Sequence, residues 1–240
     1  MTAPRFLDAG EAALVVQFGE TVDPAIHDRV LALDAALTVD PPAGMRETVP
    51  TYRSLMVHYD PLALDRATLI DLVRELDRKS RRVAATSDLW TIPCCYEGDY
   101  GEDVGAIAEQ TGLTPERVVA LHSGAEYRVY MYGFAPGFCY LGGLPKELAI
   151  SRRAQPRPPH PPNTVLVGGG LTLVSTFSMP TGWWLVGRTP ERMVSLARDP
   201  AFLVRVGDAL RFEPISSSEF TALEARAEVG EIVARKSARA

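Results

Sequence analysis

The residues best suited to chemistry lie in the second half of the chain. Arg152, Arg153 and Arg157 form a basic cluster, followed by Pro158, Pro159 and His160. Guanidinium groups recognise carboxylate or phosphate through paired hydrogen bonds, and their planar fork does so better than lysine. Proline on either side of Arg157 predicts a stiff, extended segment. A solvated charged loop is the competing reading, but no acidic run flanks the cluster, which favours anion recognition. Upstream runs Gly133-Phe134-Ala135-Pro136-Gly137-Phe138-Cys139-Tyr140-Leu141-Gly142-Gly143. Its glycines and proline fix an irregular backbone, while Phe134, Phe138 and Tyr140 supply apolar bulk. Such a loop either lines a small-molecule pocket or covers the end of a barrel. Downstream, in Gly182-Trp183-Trp184-Leu185-Val186-Gly187-Arg188-Thr189-Pro190, strand alternation sends the two tryptophans to opposite faces, one to a core and one to a surface. Arg188 stands at that strand's exit, where side chains commonly meet ligands.

His122 falls at the C-terminus of a predicted helix, whose dipole favours a protonated ring. It reads equally as a general acid or base and as a packing histidine. Gly168-Gly169-Gly170 reads as a tight hairpin, since no GxxxxGK[ST] phosphate loop occurs in the chain. There is no GxSxG elbow, HExxH pair or catalytic-cysteine signature either, so a self-contained hydrolase lacks support. The 3 cysteines (adjacent Cys94 and Cys95, and a lone Cys139) make no disulfide framework and no CxxC pair. With 4 scattered histidines they give no zinc site, and Cys139 reads as a buried thiol. A formal net charge of −5 argues against a duplex nucleic-acid binder. No apolar run approaches ~18 residues and no signal peptide is evident. The expectation is a soluble, cytoplasmic protein.

The elements that must position these residues fall into two textures. Before about residue 90, strand and helix signals alternate. Ala12–Phe18 reads as a buried strand, Asp23 and Pro24 start a helix as N-cap and N1, and Ile26, Val30, Leu33 and Leu37 share its face. Residues 46–59 are β-rich, Leu69, Leu72, Val73 and Leu76 mark a second helix, and Trp90–Tyr96 returns to strand. This β-α-β-β-α-β order suits a split βαβ, ferredoxin-like fold over residues 1–90. Residues 91–240 open with helices Asp103–Gln110, stopped by Gly112, and Thr114–His122, with Thr114 as N-cap and Pro115 at N1. Strands then dominate: Tyr127–Tyr132, Thr164–Val167, Leu171–Phe177, Trp183–Val186, Met193–Leu196 and Ala209–Pro214. A closed or nearly closed β-barrel follows, with a helical tail from Ser217 to Ala234. The fold class is α+β.

Together these segments resemble the family of the 5-oxoprolinase B-type subunit, also described as allophanate hydrolase subunit 1 and as a sporulation-kinase inhibitor. The similarity runs through Val49-Pro50, Asp60-Pro61, Ile92-Pro93-Cys94-Cys95-Tyr96, Leu121-His122 and Tyr127-Arg128-Val129. The Gly133–Gly143 loop and Gly187-Arg188-Thr189-Pro190 are its specific parts. The resemblance implies an N-terminal ferredoxin-like domain, a C-terminal cyclophilin-like barrel, and a larger partner, the C-type 5-oxoprolinase subunit, with a related barrel. With a third, A-type subunit, the assembly is expected to open the lactam of 5-oxoproline to L-glutamate using ATP, with Mg²⁺ accompanying the nucleotide. Relatives fused to biotin-dependent carboxylases work on urea-derived substrates. Two segments depart from the family pattern: His160-Pro161-Pro162-Asn163-Thr164 replaces a Val-Pro-Ala-Gly-Ser-like turn, and Pro180-Thr181-Gly182-Trp183 replaces Pro-Gly-Gly-Trp.

On that reading His122, Arg157 and Arg188 are the candidate catalytic residues, with His122 as a proton shuttle. Arg128, Phe134, Pro136, Gly137, Phe138, Tyr140, Arg153 and Trp183 are candidate substrate contacts. Two alternatives stand beside the oxoprolinase reading: inhibitory binding to a sensor histidine kinase, and a component of a urea or allophanate pathway.

Overall fold

The first unit, Met1–Thr86, begins with a hairpin of β1 (Arg5–Asp8) and β2 (Ala13–Gln17) in a computed structural model that describes residues 3–80 and 87–238. Helix α1 (Pro24–Val39) starts as its sequence requires. The Asp23 carboxylate accepts hydrogen bonds from the Ala25 and Ile26 N–H groups at 2.7 and 3.2 Å, with Pro24 in the first turn. Strands β3 (Met45–Pro50) and β4 (Ser54–Tyr59) and helix α2 (Arg66–Ser80) complete the unit. The sheet order is β1-β2-β4-β3, antiparallel throughout. Because α1 links β2 to β3 with β4 between them, this is a split βαβ arrangement. Leu14, Val16, Leu55 and Val57 project from the sheet onto Val30, Leu33 and Leu37 of α1 and Leu69 and Val73 of α2. Each such side chain contributes about 1.5–3 kcal/mol by leaving water.

The strand around Trp90 does not complete this sheet. Its expected edge is filled by β1, and Asp88–Cys95 instead forms β5, the opening strand of the second unit, Ser87–Ala240. The burial of β5 explains this. Ile92, Cys94 and Cys95 are all 0% exposed, so consecutive side chains are covered on both faces. That suits a strand inside a closed barrel better than the edge of an open sheet.

The second unit continues through α3 (Val104–Thr111), α4 (Pro115–Gly124), β6 (Tyr127–Tyr132) and β7 (Cys139–Gly142). Next come β8 (Arg157–His160), β9 (Thr164–Gly168), β10 (Leu171–Val174), β11 (Met179–Thr181) and β12 (Trp184–Arg188). The unit ends with β13 (Ala209–Ile215), α5 (Ser217–Glu228) and β14 (Arg235–Ala238). Seven strands close in the order β12-β9-β10-β7-β6-β13-β5, the seam being the pairing of Arg188 in β12 with Cys95 in β5. Gly187 permits that seam, since a Cβ there would lie 2.7 Å from the Cys94 sulfur and 3.0 Å from the Cys95 carbonyl oxygen. β5 and β13 run parallel, β14 lies along β5, and β8 pairs only with β11. The α+β division and the closed barrel are therefore as expected.

Inside the barrel, Ile92, Val129, Leu141, Val165, Val186 and Phe212 pack against Ile107 of α3 and Val118 of α4. Both helices start and stop by local chemistry. The Arg117 N–H donates to Thr114 Oγ1 at 3.2 Å to open α4, and Gly112 at φ 70° ends α3. Met193–Leu196, expected as a strand, makes only an isolated bridge between Val194 and Phe202. The helical tail also stops early. Buried Glu191 accepts the N–H groups of Val233 and Ala234 at 2.7 and 2.8 Å, which draws that segment toward β14 instead. Among the described residues no helix is long and apolar enough to cross a membrane.

Candidate functional site

The arginine cluster is organised by a residue far from it in sequence. Asp103, 6% exposed at the start of α3, does not cap its own helix. Its carboxylate accepts the Arg153 guanidinium at 3.0 Å through Oδ1, and the Arg157 guanidinium and the Leu185 N–H, each at 2.8 Å, through Oδ2. The Asp103 N–H in turn donates to the Leu185 carbonyl at 3.0 Å, so the aspartate is clamped to β12 by its own backbone. Arg157 is held a second time, by Glu102. With 10% of its side chain exposed, Arg157 orders the cluster from below; its terminal nitrogens already have acidic partners.

Arg153 is placed differently. Its side chain is 29% exposed and its guanidinium lies 4.6 Å above the Trp184 ring. Trp184 is fixed by the hydrogen bond from Nε1 to the Ser151 carbonyl, 2.8 Å. Arg152 stacks at 4.9 Å over Trp183 and has no acidic partner among the described residues. These residues open onto a cleft of about 450 Å³ lined by Gln110, Arg152, Arg153, Ala154, Gln155 and Trp184. The cleft has the size of a small-molecule site. One aromatic wall, two guanidinium groups and two carboxamides give it the chemistry to bind a small anion that also carries an amide.

The aromatic residues predicted as contacts gather on the outer wall of the barrel. Phe138 and Trp183 pack with Leu166, Leu173 and Leu185, and Tyr140 packs against that cluster. Phe134 joins through Phe138, with ring centroids 5.2 Å apart, and stacks on Phe177 at 5.9 Å. Phe134 is 72% exposed and has φ 71°, a strained conformation for a bulky residue. Gly137, at φ 72°, passes so close to Val194 that a Cβ would meet its side chain at 2.7 Å. The Pro136 carbonyl accepts the Thr176 hydroxyl at 2.9 Å. Arg152, stacked on Trp183, links this wall to the cleft.

Three predicted residues lie elsewhere. Arg188 sits between the rings of Tyr100 and Phe220, at 5.4 and 5.1 Å, with Glu224 at 3.5 Å. Arg128 lies on β6, its guanidinium 5.9 Å from the Tyr130 ring. His122 is 0% exposed inside the barrel and stacks on Phe212 at 5.0 Å. Its Nδ1 lies 2.9 Å from the Tyr96 hydroxyl and its Nε2 3.4 Å from Thr172 Oγ1, which donates to the Leu166 carbonyl. That chain orients the ring as an Nε2–H tautomer accepting from Tyr96. Burial pushes its pKa down to about 3, so the ring is neutral. The expected proton shuttle therefore has no solvent path in this conformation; the helix-dipole argument that favoured a charged ring is outweighed by desolvation. Burial also raises the thiol pKa values of Cys94 and Cys139 well above the ordinary range, which makes both unreactive packing groups.

Sequence reasoning missed Asp103, Gln110, Gln155 and the stacking role of Trp184. Asp103 offered one signal: the arginine run lacks an adjacent acid, so its counter-charge had to come from a distant segment.

The model of the carboxyltransferase domain, subdomain C and D, matches residues 4–204. A Bacillus subtilis (strain 168) protein, named as the B subunit of 5-oxoprolinase, is 33% identical over 224 residues, covering 89% of this chain and 93% of the relative. Among solved structures, TTHA0988 superposes with a TM-score of 0.77 at 36% identity over 85% of this chain, which spans only 40% of that longer one. K. lactis urea amidolyase shares the fold, with a TM-score of 0.79 over 98% of this chain and 16% of its own, at 17% identity. Matched over most of its length, the chain belongs to the carboxyltransferase subdomain C and D family and, on its relatives, to that of the 5-oxoprolinase B-type subunit.

Proposed function

We propose that this chain is the B-type component of an ATP-dependent 5-oxoprolinase, a cytoplasmic hetero-oligomer that opens 5-oxoproline to L-glutamate together with a larger C-type subunit and a third, A-type subunit. The observation that carries this reading is the cleft beside Trp184, where Arg152 and Arg153 present guanidinium groups at the mouth of a site sized for a small carboxylate. Lactam opening must activate a poorly electrophilic amide, and phosphorylating its oxygen with ATP does so. Such a step requires cations near the developing charge and a substrate held in one orientation. Arg153, braced by Asp103 and Trp184, is suited to holding the substrate carboxylate; Arg157 and Asp103 position it.

This chain lacks a GxxxxGK[ST] loop. On the family resemblance, we place nucleotide and Mg²⁺ at a site shared with the larger subunit. Co-expression with a candidate C-type subunit, followed by addition of the A-type one, tests the proposal. A stable complex with 5-oxoproline-dependent ATP hydrolysis is the expected result. A stable complex that hydrolyses ATP only with urea-derived amides would replace the substrate.

A second reading, inhibitory binding to a sensor histidine kinase, draws on the exposed Phe134 ring stacked against Phe177. It predicts that stoichiometric amounts of the chain block autophosphorylation, and that Phe134→Ser abolishes the block.

A further inference from the structure

We infer that the carboxamides of Gln110 and Gln155 are specificity determinants that read the amide edge of a small cyclic amide carboxylate, while Arg152 and Arg153 hold its carboxylate. The assignment rests on the proposed lactam substrate and goes beyond it by naming the groups that distinguish a lactam from other small acids.

Both glutamines line the cleft with the two arginines and Trp184. They come from separate elements. Gln110 belongs to the last turn of α3, whose end is fixed by Gly112 in the left-handed conformation. Gln155 lies in the segment between Arg153, whose N–H donates to the Gly182 carbonyl at 2.7 Å, and Arg157, bound to Asp103. Neither carboxamide hydrogen-bonds to another described residue, so their donors and acceptors remain available. Both side chains are solvent-exposed at the cleft, and each offers a carbonyl acceptor beside its N–H donors, which an anion alone would leave unused.

The match is one of edges. A five-membered lactam locks its amide cis, so its N–H and C=O project on the same side. A primary carboxamide presents C=O and N–H in the complementary arrangement and can exchange two hydrogen bonds with that edge. An open-chain trans amide cannot offer both groups at once, and a lactone offers no N–H. Sites that hydrogen-bond a substrate's N–H discriminate strongly against analogues lacking it, because their own polar groups are left unpaired.

The test needs neither ATP nor a partner, since this chain alone forms the cleft. Tryptophan emission of the full chain, with Trp184 as the cleft wall, is followed during titration with three probes. These are 5-oxoproline, its lactone analogue with ring oxygen in place of N–H, and cyclopentanecarboxylate, which keeps the acid and lacks the amide. The wild-type chain should bind the lactam about tenfold more tightly than either analogue, the worth of one to two ordinary hydrogen bonds, since the lactone loses the N–H alone and cyclopentanecarboxylate loses both groups. The double variant Gln110→Leu/Gln155→Leu should lose that preference while binding cyclopentanecarboxylate as before; Arg152→Ala should weaken all three.

A double variant that keeps the preference, or a wild-type chain that does not bind 5-oxoproline, overturns the inference. Either result leaves the oxoprolinase reading to be judged by turnover of the assembled enzyme. Conversely, a titration that behaves as predicted alongside an assembly with no lactam-dependent turnover upholds amide-edge recognition and removes the enzymatic reading.

Discussion

Each unit of the molecule contains an aspartate that holds arginine, and the two arrangements differ in what they leave open. In the first unit, Arg29 donates to both oxygens of Asp77, at 2.6 Å from Nε and 2.5 Å from the terminal nitrogen, and stacks 4.6 Å from the Phe18 ring. Both side chains are almost fully buried, at 6% and 5% exposure. In the second unit one carboxylate, Asp103, serves two guanidinium groups and a backbone N–H, and one of those arginines remains 29% exposed on the rim of a cleft. The closed pair fixes structure. The shared one leaves a guanidinium preorganised with donors to offer, as a binding site requires. Counting arginines near aspartates would not separate these two; the exposure of the cation and the space beside it do.

The largest effect is expected at the closed pair. Arg29→Ala removes the cation that faces both oxygens of buried Asp77 and should lower stability by about 3–5 kcal/mol, measured by urea denaturation, while ligand binding by the folded fraction is unchanged. A loss within experimental error would mean that the pair is not structural and that the contrast fails. Next comes acid. His122 is neutral in the folded barrel, with a pKa of about 3 against 6.5 for a free ring, whereas the unfolded chain protonates it below 6.5. Its contribution is fully present above that value and is lost as pH falls toward 3, at about 1.4 kcal/mol per pH unit. A His122→Phe variant should lose this one-proton slope; identical slopes would show that the ring is not held neutral. The smallest effect is expected from Trp184→Phe. It keeps the ring beneath Arg153 but removes the hydrogen bond to Ser151, and should cost about 1 kcal/mol with little change in ligand affinity. A large loss of affinity would mean that the indole N–H, and not stacking, organises the cleft.

What could be read from sequence was local. Asp23 with Pro24, Thr114 with Pro115, and Gly112 announced the helix ends because capping chemistry lies within a few residues. Tyr127–Tyr132 formed the strand its pattern indicated. Trp183 and Trp184 do fall into different clusters, but Trp183 precedes β12 and both rings are buried, so neither is the surface tryptophan that alternation predicts. Misplaced elements depended on distant partners. Trp90–Tyr96 has the pattern of a strand, but only its neighbours β13, β14 and β12 decide that it opens the barrel. Met193–Leu196 has strand composition yet finds no ladder. β8 and β11 are short and proline-bearing, so neither shows a period. The site divides the same way. The arginines stood out by type and spacing, whereas Asp103 is 50 and 54 positions from the two it binds. At the head of a helix it looked like ordinary helix-starting chemistry.

That Arg153 is held open by Asp103 to receive the substrate carboxylate is tested most directly by steady-state kinetics of Arg153→Ala in the assembled enzyme. The expected result is a KM for 5-oxoproline raised at least about tenfold, as for loss of a charged hydrogen bond of about 1.5–3 kcal/mol, with the unfolding midpoint close to that of the wild type. A wild-type KM in a variant of unchanged stability would contradict it.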